Sequence, residues 1–168
     1  AIKLNTPGTV FVRLKRVGRD GTFSMYKFRS MVKDAHGMKK DLLKFSERQG
    51  PLFKMKNDPR ITRVGKLLRK TRIDELPQLI NVIKDDMSLI GPRPHEPEEV
   101  AQYHKHQRKV LTIKPGMTGM GQVSGAADLS FNEEVKLDTY YIENWSLKMD
   151  LQVLLRTAKI VFKAESAY

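Results

Sequence analysis

The sequence has no cysteine, which rules out disulfides and thiolate metal sites and fits a reducing compartment. No apolar run approaches the roughly 18–20 residues of a membrane-spanning helix. The opening Ala1-Ile2-Lys3-Leu4-Asn5 lacks the apolar centre of a signal peptide. It does not begin with Met, and the start reads as a cut. Acidic residues are the minority: 31 Lys and Arg stand against 19 Asp and Glu, leaving a formal charge of +12. That excess points to an anionic partner, with nucleic acid, an anionic membrane face and phosphorylated metabolites all open. At 168 residues the chain has room for one domain with a real core, and too little for two.

Apolar residues at 10, 12 and 14 alternate with others, which is strand periodicity. Gly18-Arg19-Asp20-Gly21 is a tight turn signal, and Thr22 to Arg29 returns as the partner strand. Lys27 and Arg29 then share one face of the hairpin by the two-residue repeat, read from local pattern as a wet face. Met31 to about Gln49 is helix-permissive, with Leu42, Leu43 and Phe45 expected to turn inward. Asn57-Asp58-Pro59 is expected to open the next helix with Asp58 as cap and Pro59 in the first turn. In it Ile61, Val64, Leu67 and Leu68 repeat at helical spacing among many bases. Such a basic amphipathic helix suits an anionic bilayer, nucleic acid or an ordinary core.

The centre of the sequence is Arg69-Lys70-Thr71-Arg72-Ile73-Asp74-Glu75-Leu76-Pro77-Gln78. Asp74 is expected to be a helix N-cap, since its side chain can accept an early backbone N–H. Pro77 is tolerable in a first turn, where N–H groups have no intrahelical partner. Two carboxylates at the positive end of a helix, close to Arg69 and Arg72, also make a place that attracts phosphate. Further on, Gly91-Pro92-Arg93-Pro94 cannot be helix interior, so Arg93 is held on a stiff loop suited to presenting its guanidinium to phosphate. His104 and His106 read as surface histidines. The glycine-rich Lys114 to Gly125 lacks the endings of known nucleotide loops. Asp128 or Ser130 is expected to cap a helix over Phe131 to Trp145, and Leu151 to Phe162 reads as a terminal amphipathic helix.

Several of these stretches, taken together and in order, resemble the bacterial sugar transferases, the monotopic phosphoglycosyl transferases that act on polyprenyl phosphate. The matching segments are Tyr26 to Met31, Asn57 to Thr62, Asp74-Glu75-Leu76-Pro77-Gln78, Asp86 to Pro94, Lys114 to Gly119 and Tyr140 to Ser146. The likeness runs from about Thr6 to Phe162. It implies a single catalytic domain over 1–168 that moves a sugar 1-phosphate from a nucleoside diphosphate sugar to undecaprenyl phosphate and releases UMP. By resemblance Asp74 is the nucleophile and Glu75 holds a catalytic magnesium ion. Lys27, Arg69 and Arg93 would bind phosphates, with Asp138 and Asp150 supporting the site. The place implied is the cytoplasmic face of a bacterial inner membrane, on an anionic surface, with no nucleic acid partner and a homo-oligomer left open.

Three departures from the family pattern stand out. Its N-terminal hydrophobic re-entrant helix has no counterpart here, so a catalytic domain without its anchor is expected. Ala126 stands where the family has an arginine, which leaves a catalytically weakened homologue as one alternative; a basic nucleic-acid-binding module is the other. Asp85 stands where glycine is usual. The expected architecture is α+β: an N-terminal antiparallel β-hairpin packed among amphipathic helices, associated with a membrane surface.

Overall fold

The computed structural model describes residues 1–125 and 129–163. A short turn of helix, α1 (Ile2–Asn5), leads into strands β1 (Phe11–Gly18) and β2 (Gly21–Phe28). The two strands pair antiparallel from Phe11 opposite Phe28 to Gly18 opposite Gly21. Arg19-Asp20 forms the tip, and Gly21 takes the positive φ of 113° that a side chain would resist. The expected hairpin is therefore present, and its alternation places Met25 and Lys27 on one face.

Helix α2 (Ala35–Leu42) runs into a short 3₁₀ turn, Leu43–Phe45. Leu43 and Phe45 are exposed, not inward, where the chain tightens into that turn. Asp58 does not cap the next helix either. Its carboxylate receives Arg60 Nε and NH2 at 2.9 and 2.6 Å, and the helix, α3 (Arg63–Lys70), is capped by Thr62, whose hydroxyl accepts from Gly65 N at 2.9 Å. Gly65 lets α3 approach Ser30 closely: a Cβ there would lie 1.8 Å from the Ser30 carbonyl. One turn on, Arg69 Nε donates to Ser30 Oγ at 2.9 Å.

A 3₁₀ segment, Ile73–Gln78, and α4 (Leu79–Ile83) follow and pack across β2. Asn81, fully buried, fastens this layer: its Oδ1 accepts from Tyr26 N at 2.9 Å and its Nδ2 donates to Ser24 O at 2.8 Å. Strand β3 (Ser88–Ile90), α5 (Pro97–Val100), a 3₁₀ segment Lys105–Leu111, β4 (Gly116–Thr118) and α6 (Met120–Val123) come next, with β3 and β4 parallel. Helices α7 (Phe131–Glu143) and α8 (Leu147–Lys163) close the chain. Ser130 caps α7 as one of the two expected candidates, in a reciprocal box with Glu133. Ala126 and Asp128 lie outside the described residues.

The core is in two parts. Leu52, Val100, Tyr103, Val110, Phe131 and Val135 pack together under the first half of α7. Ile90, Tyr141 and Val153 hold α7 and α8 against the β3–β4 pair. The expected α+β class, with its N-terminal antiparallel hairpin among helices, is what the chain adopts. Among the described residues no helix is long and apolar enough to cross a membrane.

Candidate active site

Asp74 and Glu75 occupy the first turn of the 3₁₀ segment that crosses β2. The expectation that Asp74 caps a helix is corrected here. Arg72, in the left-handed conformation at φ 56°, holds the capping position and makes no side-chain cap bond. The kink it imposes turns both carboxylates inward to the hairpin, and Asp74 is only 6% exposed. Lys27, one strand register from Met25, reaches across: its Nζ donates to Glu75 Oε1 at 2.6 Å. Arg93 NH1 comes within 3.8 Å of the same oxygen from the Gly-Pro-Arg-Pro loop and keeps a partly exposed side chain. The wet face expected for Lys27 and Arg29 is thus not observed. Arg29 is buried, donating to Thr9 O, Pro7 O and Thr6 O, and it fastens the N-terminal segment to the hairpin.

These charges set opposite behaviour in adjacent acids. Burial works against ionised Glu75, but Lys27 and Arg93 outweigh it and hold the carboxyl down to about 2. Burial pushes Asp74 above the ordinary aspartate value, a rise that Lys27, Arg69 and Arg93 oppose and Glu75 reinforces. Burial likewise draws the Lys27 ammonium below its usual value, countered by Glu75. The result is one fixed carboxylate and one poorly solvated one, side by side under cations from three separate elements.

A narrow cleft opens here, bordered by Lys27, Glu75, Gln78, Arg93 and Gln122. Gln122 Nε2 donates to Met117 O at 3.2 Å, while its Oε1 is buried with no partner among the described residues. A roomier cavity of about 240 Å³ lies elsewhere, between the Gln49-Gly50-Pro51 loop, Gln107 and Asn132. No Lys, Arg, Asp or Glu lines it, so the charged cleft is the better candidate for handling a phosphorylated ligand.

The remaining expected residues divide. Arg69 acts on Asp74 through its charge while its Nε is held by Ser30. Asp138 lies behind the cleft, its Oδ1 accepting from Gly121 N at 3.1 Å. Burial raises its carboxyl to about 7, against the hydrogen bonds it takes from the Gly121 and Arg93 main chain. Asp150 is not brought to the cleft. It accepts from Tyr141 Oη at 2.7 Å and Trp145 Nε1 at 3.1 Å, tying the α7–α8 corner. Asp85 keeps the left-handed turn of the glycine usual there, at φ 68°, and pairs with Lys114. Sequence reasoning missed Gln78, Asn81, Gln122, His95 and Glu134. A buried polar residue inside an apolar run, as at Asn81, was the one local signal available.

Could these residues hold a metal? Among the described residues no cluster of three or more His, Asp or Glu is suited to one. Magnesium, however, takes one or two carboxylates and fills its sphere with water and phosphate oxygens. Glu75 is ionised and meets its two cations through a single oxygen, which fits that mode.

An acidic pair among Lys27, Arg69 and Arg93 on a small α+β scaffold is the candidate site. Comparison with known sequences places it: the chain belongs to the bacterial sugar transferase family, whose model matches residues 1–164. The galactosyl transferase CpsE of Streptococcus agalactiae serotype III is 48% identical over 162 residues, spanning 95% of this chain and 36% of the relative. The undecaprenyl-phosphate galactose phosphotransferase of Salmonella typhimurium is 47% identical over 163 residues, 92% of this chain and 33% of its own length. The exopolysaccharide production protein ExoY of Sinorhizobium fredii is 37% identical over 172 residues, 99% of this chain and 76% of its own length. The chain therefore spans about a third of the first two relatives, and most of the third.

Proposed function

We propose that this chain transfers a sugar 1-phosphate from a nucleoside diphosphate sugar, UDP-galactose or UDP-glucose, to undecaprenyl phosphate, opening the membrane stage of exopolysaccharide, capsule or O-antigen assembly. The observation that carries this reading is Asp74, a buried carboxylate beside ionised Glu75 and among the fields of Lys27, Arg69 and Arg93. Relatives named for galactose phosphotransfer to undecaprenyl phosphate and for UDP-glucose:undecaprenyl-phosphate glucose-1-phosphate transfer support the choice of substrates.

The chemistry follows from the charges. Lys27 and Arg93 receive the diphosphate oxygens, and a carboxylate can then approach phosphorus against less repulsion. Magnesium, held by Glu75 when bound, would neutralise the diphosphate further. Asp74 attacks the phosphorus that bears the sugar. The new Asp74 oxygen–phosphorus bond forms as the bond to the bridging oxygen breaks, and UMP leaves with that electron pair. A phosphate oxygen of the lipid then attacks the same phosphorus, the aspartyl bond breaks, and Asp74 is restored. Poor solvation of Asp74 favours attack, since less water must be shed from the carboxylate.

The lipid acceptor requires a membrane face, and the apolar exposure beside the site suits one. Leu67, Ile73, Leu76 and Leu79 are exposed on α3, the 3₁₀ segment and α4, with Ile83 at 86%. With the excess of +12, this surface would sit on the anionic cytoplasmic face of the inner membrane. The test is incubation with UDP-hexose, magnesium and undecaprenyl phosphate, with UMP release as the readout. Turnover that survives in Asp74→Asn would remove Asp74 as nucleophile. Ala126 in place of the family arginine gives one reason to expect a slowed enzyme. Ala126→Arg should then raise turnover, and an unchanged rate would dismiss that reading.

A further inference from the structure

Helix α7 buries two carboxylates that the proposed chemistry does not touch. Glu134 and Asp138 are one turn apart on its inward stripe, alongside Phe131, Val135 and Tyr141. Glu134 is only 1% exposed. A buried acid is costly unless paired, and truncating it leaves an uncompensated charge behind, so its presence asks for a purpose beyond filling space.

Both acids face the loop that carries Arg93. Asp138 accepts main-chain N–H groups from Gly121 and from Arg93 itself. Glu134 Oε1 faces His95 Nε2 at 3.8 Å, and its Oε2 receives Arg48 NH2 at 2.6 Å. His95 follows Arg93 by two residues with the stiff Pro94 between them. Its ring is buried, its Nδ1 bonds the Tyr103 hydroxyl, and its carbonyl accepts from Val17 N at 3.0 Å. Burial, then the Arg93, Arg16 and Arg48 cations, keep that ring neutral, while burial keeps the Tyr103 phenol protonated. The Tyr103 hydroxyl can donate to Nδ1 or accept from it, and in the tautomer where it donates the ring proton sits on Nε2. The Nε2 proton is then directed at Glu134. Among the described residues neither His95 Nε2 nor Glu134 Oε1 has a hydrogen-bond partner, and their 3.8 Å separation is a close approach that stops short of a bond. The other side of the loop is tied as well: Gly91 N donates to Thr118 O and Gly116 N to Pro92 O, each at 2.9 Å. The packing is tight enough that a Cβ on Gly121 would meet Glu134 Cγ at 2.9 Å.

We propose that Glu134 and Asp138 form a carboxylate clamp that sets the position of Arg93 over Glu75, Asp138 through the main chain and Glu134 through the His95 ring. Both are positioning residues. Asp138, expected from sequence among the substrate-binding residues, acts on the substrate only through Arg93. Glu134 and His95 are added to the machinery. The fold needs such a clamp because Arg93 itself is partly exposed and meets Glu75 at only 3.8 Å. Its side chain alone does not fix where its guanidinium rests, and an error of about 1 Å at a charged site can cost up to a hundredfold in rate.

The inference rests on the phosphoglycosyl transfer reading for its kinetic arm, and on the loop alone for its spectroscopic arm. Glu134→Gln keeps size and a carbonyl acceptor, and Arg48→Met with Glu134→Leu replaces the buried pair by apolar residues should the single variant fold poorly. Either should lower kcat/KM by about tenfold or more. In an Arg93→Ala background the same change should cost less than about twofold, since contacting residues acting through one group are not additive. Equal losses in both backgrounds would overturn the proposal and leave Glu134 a merely structural residue. The Nε–H resonance of Arg93 should shift and lose order in Glu134→Gln, and stay in place in Lys109→Ala, which removes an exposed pair with Glu143. An unmoved Arg93 resonance would also overturn it. A protein that releases no UMP yet shows the Arg93 shift keeps the clamp and loses the proposed reaction.

Discussion

Two pairs of neighbouring carboxylates, Asp74 with Glu75 and Glu134 with Asp138, are built alike in this fold, yet their surroundings differ. In the first, Glu75 is paired with Lys27 while neighbouring Asp74 is raised by burial. In the second, Glu134 is paired with Arg48 while Asp138, one helical turn on, is raised to about 7. Each pair thus holds one acid by a cation and leaves the other less well solvated. The difference lies in what the second acid meets. Asp138 spends its oxygens on main-chain N–H groups, which closes it to chemistry. Asp74 adjoins Glu75, which borders the cleft with Lys27 and Arg93, and after burial its largest influence is the Lys27 charge, which a diphosphate would also feel. On the proposed reading, the raised acid among cations is the nucleophile and the raised acid bonded to backbone is a fastening.

The comparison breaks most sharply at Asp74. Asp74→Asn should reduce turnover by more than about a thousandfold, whereas Asp138→Asn, which retains an acceptor oxygen for both N–H groups, should stay within about tenfold. UMP release under saturating donor measures both. Next comes Glu75→Gln, which leaves Lys27 buried without its counter-charge. It should slow turnover by about a hundredfold and cost roughly 3–5 kcal/mol of stability by urea titration.

The two raised acids also differ in pH behaviour. Asp138 has a folded pKa above its unfolded value, so between the ordinary 3.8 and about 7 the folded chain keeps a proton that the unfolded chain has lost. Stability should therefore fall as pH rises through that window, by roughly 4 kcal/mol at most. Asp138→Asn should flatten the dependence, and an unchanged slope would show that Asp138 does not titrate there. Asp74 acts on rate instead: since burial raises it, the acid limb of kcat/KM should have its midpoint above 3.8. The smallest effect belongs to the scaffold under Arg69. Gly65→Ala forces α3 away from Ser30 and should cost about 1–3 kcal/mol, with a lesser loss of activity.

How much of this was legible beforehand depended on the range of the interaction. The hairpin is local: Asp20-Gly21 supplies the turn, and alternation supplies the faces. The cap at Ser130 is local too. The Asp74–Glu75 pair could be picked out, together with Lys27 and Arg93, because the spacing of several motifs carried the resemblance. What failed were inferences from residue type at a single position. Asp74 and Asp58 have the right side chain for a cap, but Arg72 takes the left-handed kink and Arg60 takes the Asp58 carboxylate. Leu43 and Phe45 are apolar yet stay about half exposed. Glu134, Asn81 and His95 owe their roles to partners 86, 55 and 8 residues away, and no local pattern announces those.

The most direct test is the covalent step itself. The protein should be mixed with UDP-hexose and magnesium without lipid acceptor, quenched, digested and read by mass spectrometry. The account predicts one hexose phosphate on the peptide carrying Asp74, lost on adding undecaprenyl phosphate and absent from Asp74→Asn. A hexose phosphate on another residue, or an adduct that persists in Asp74→Asn, would contradict it.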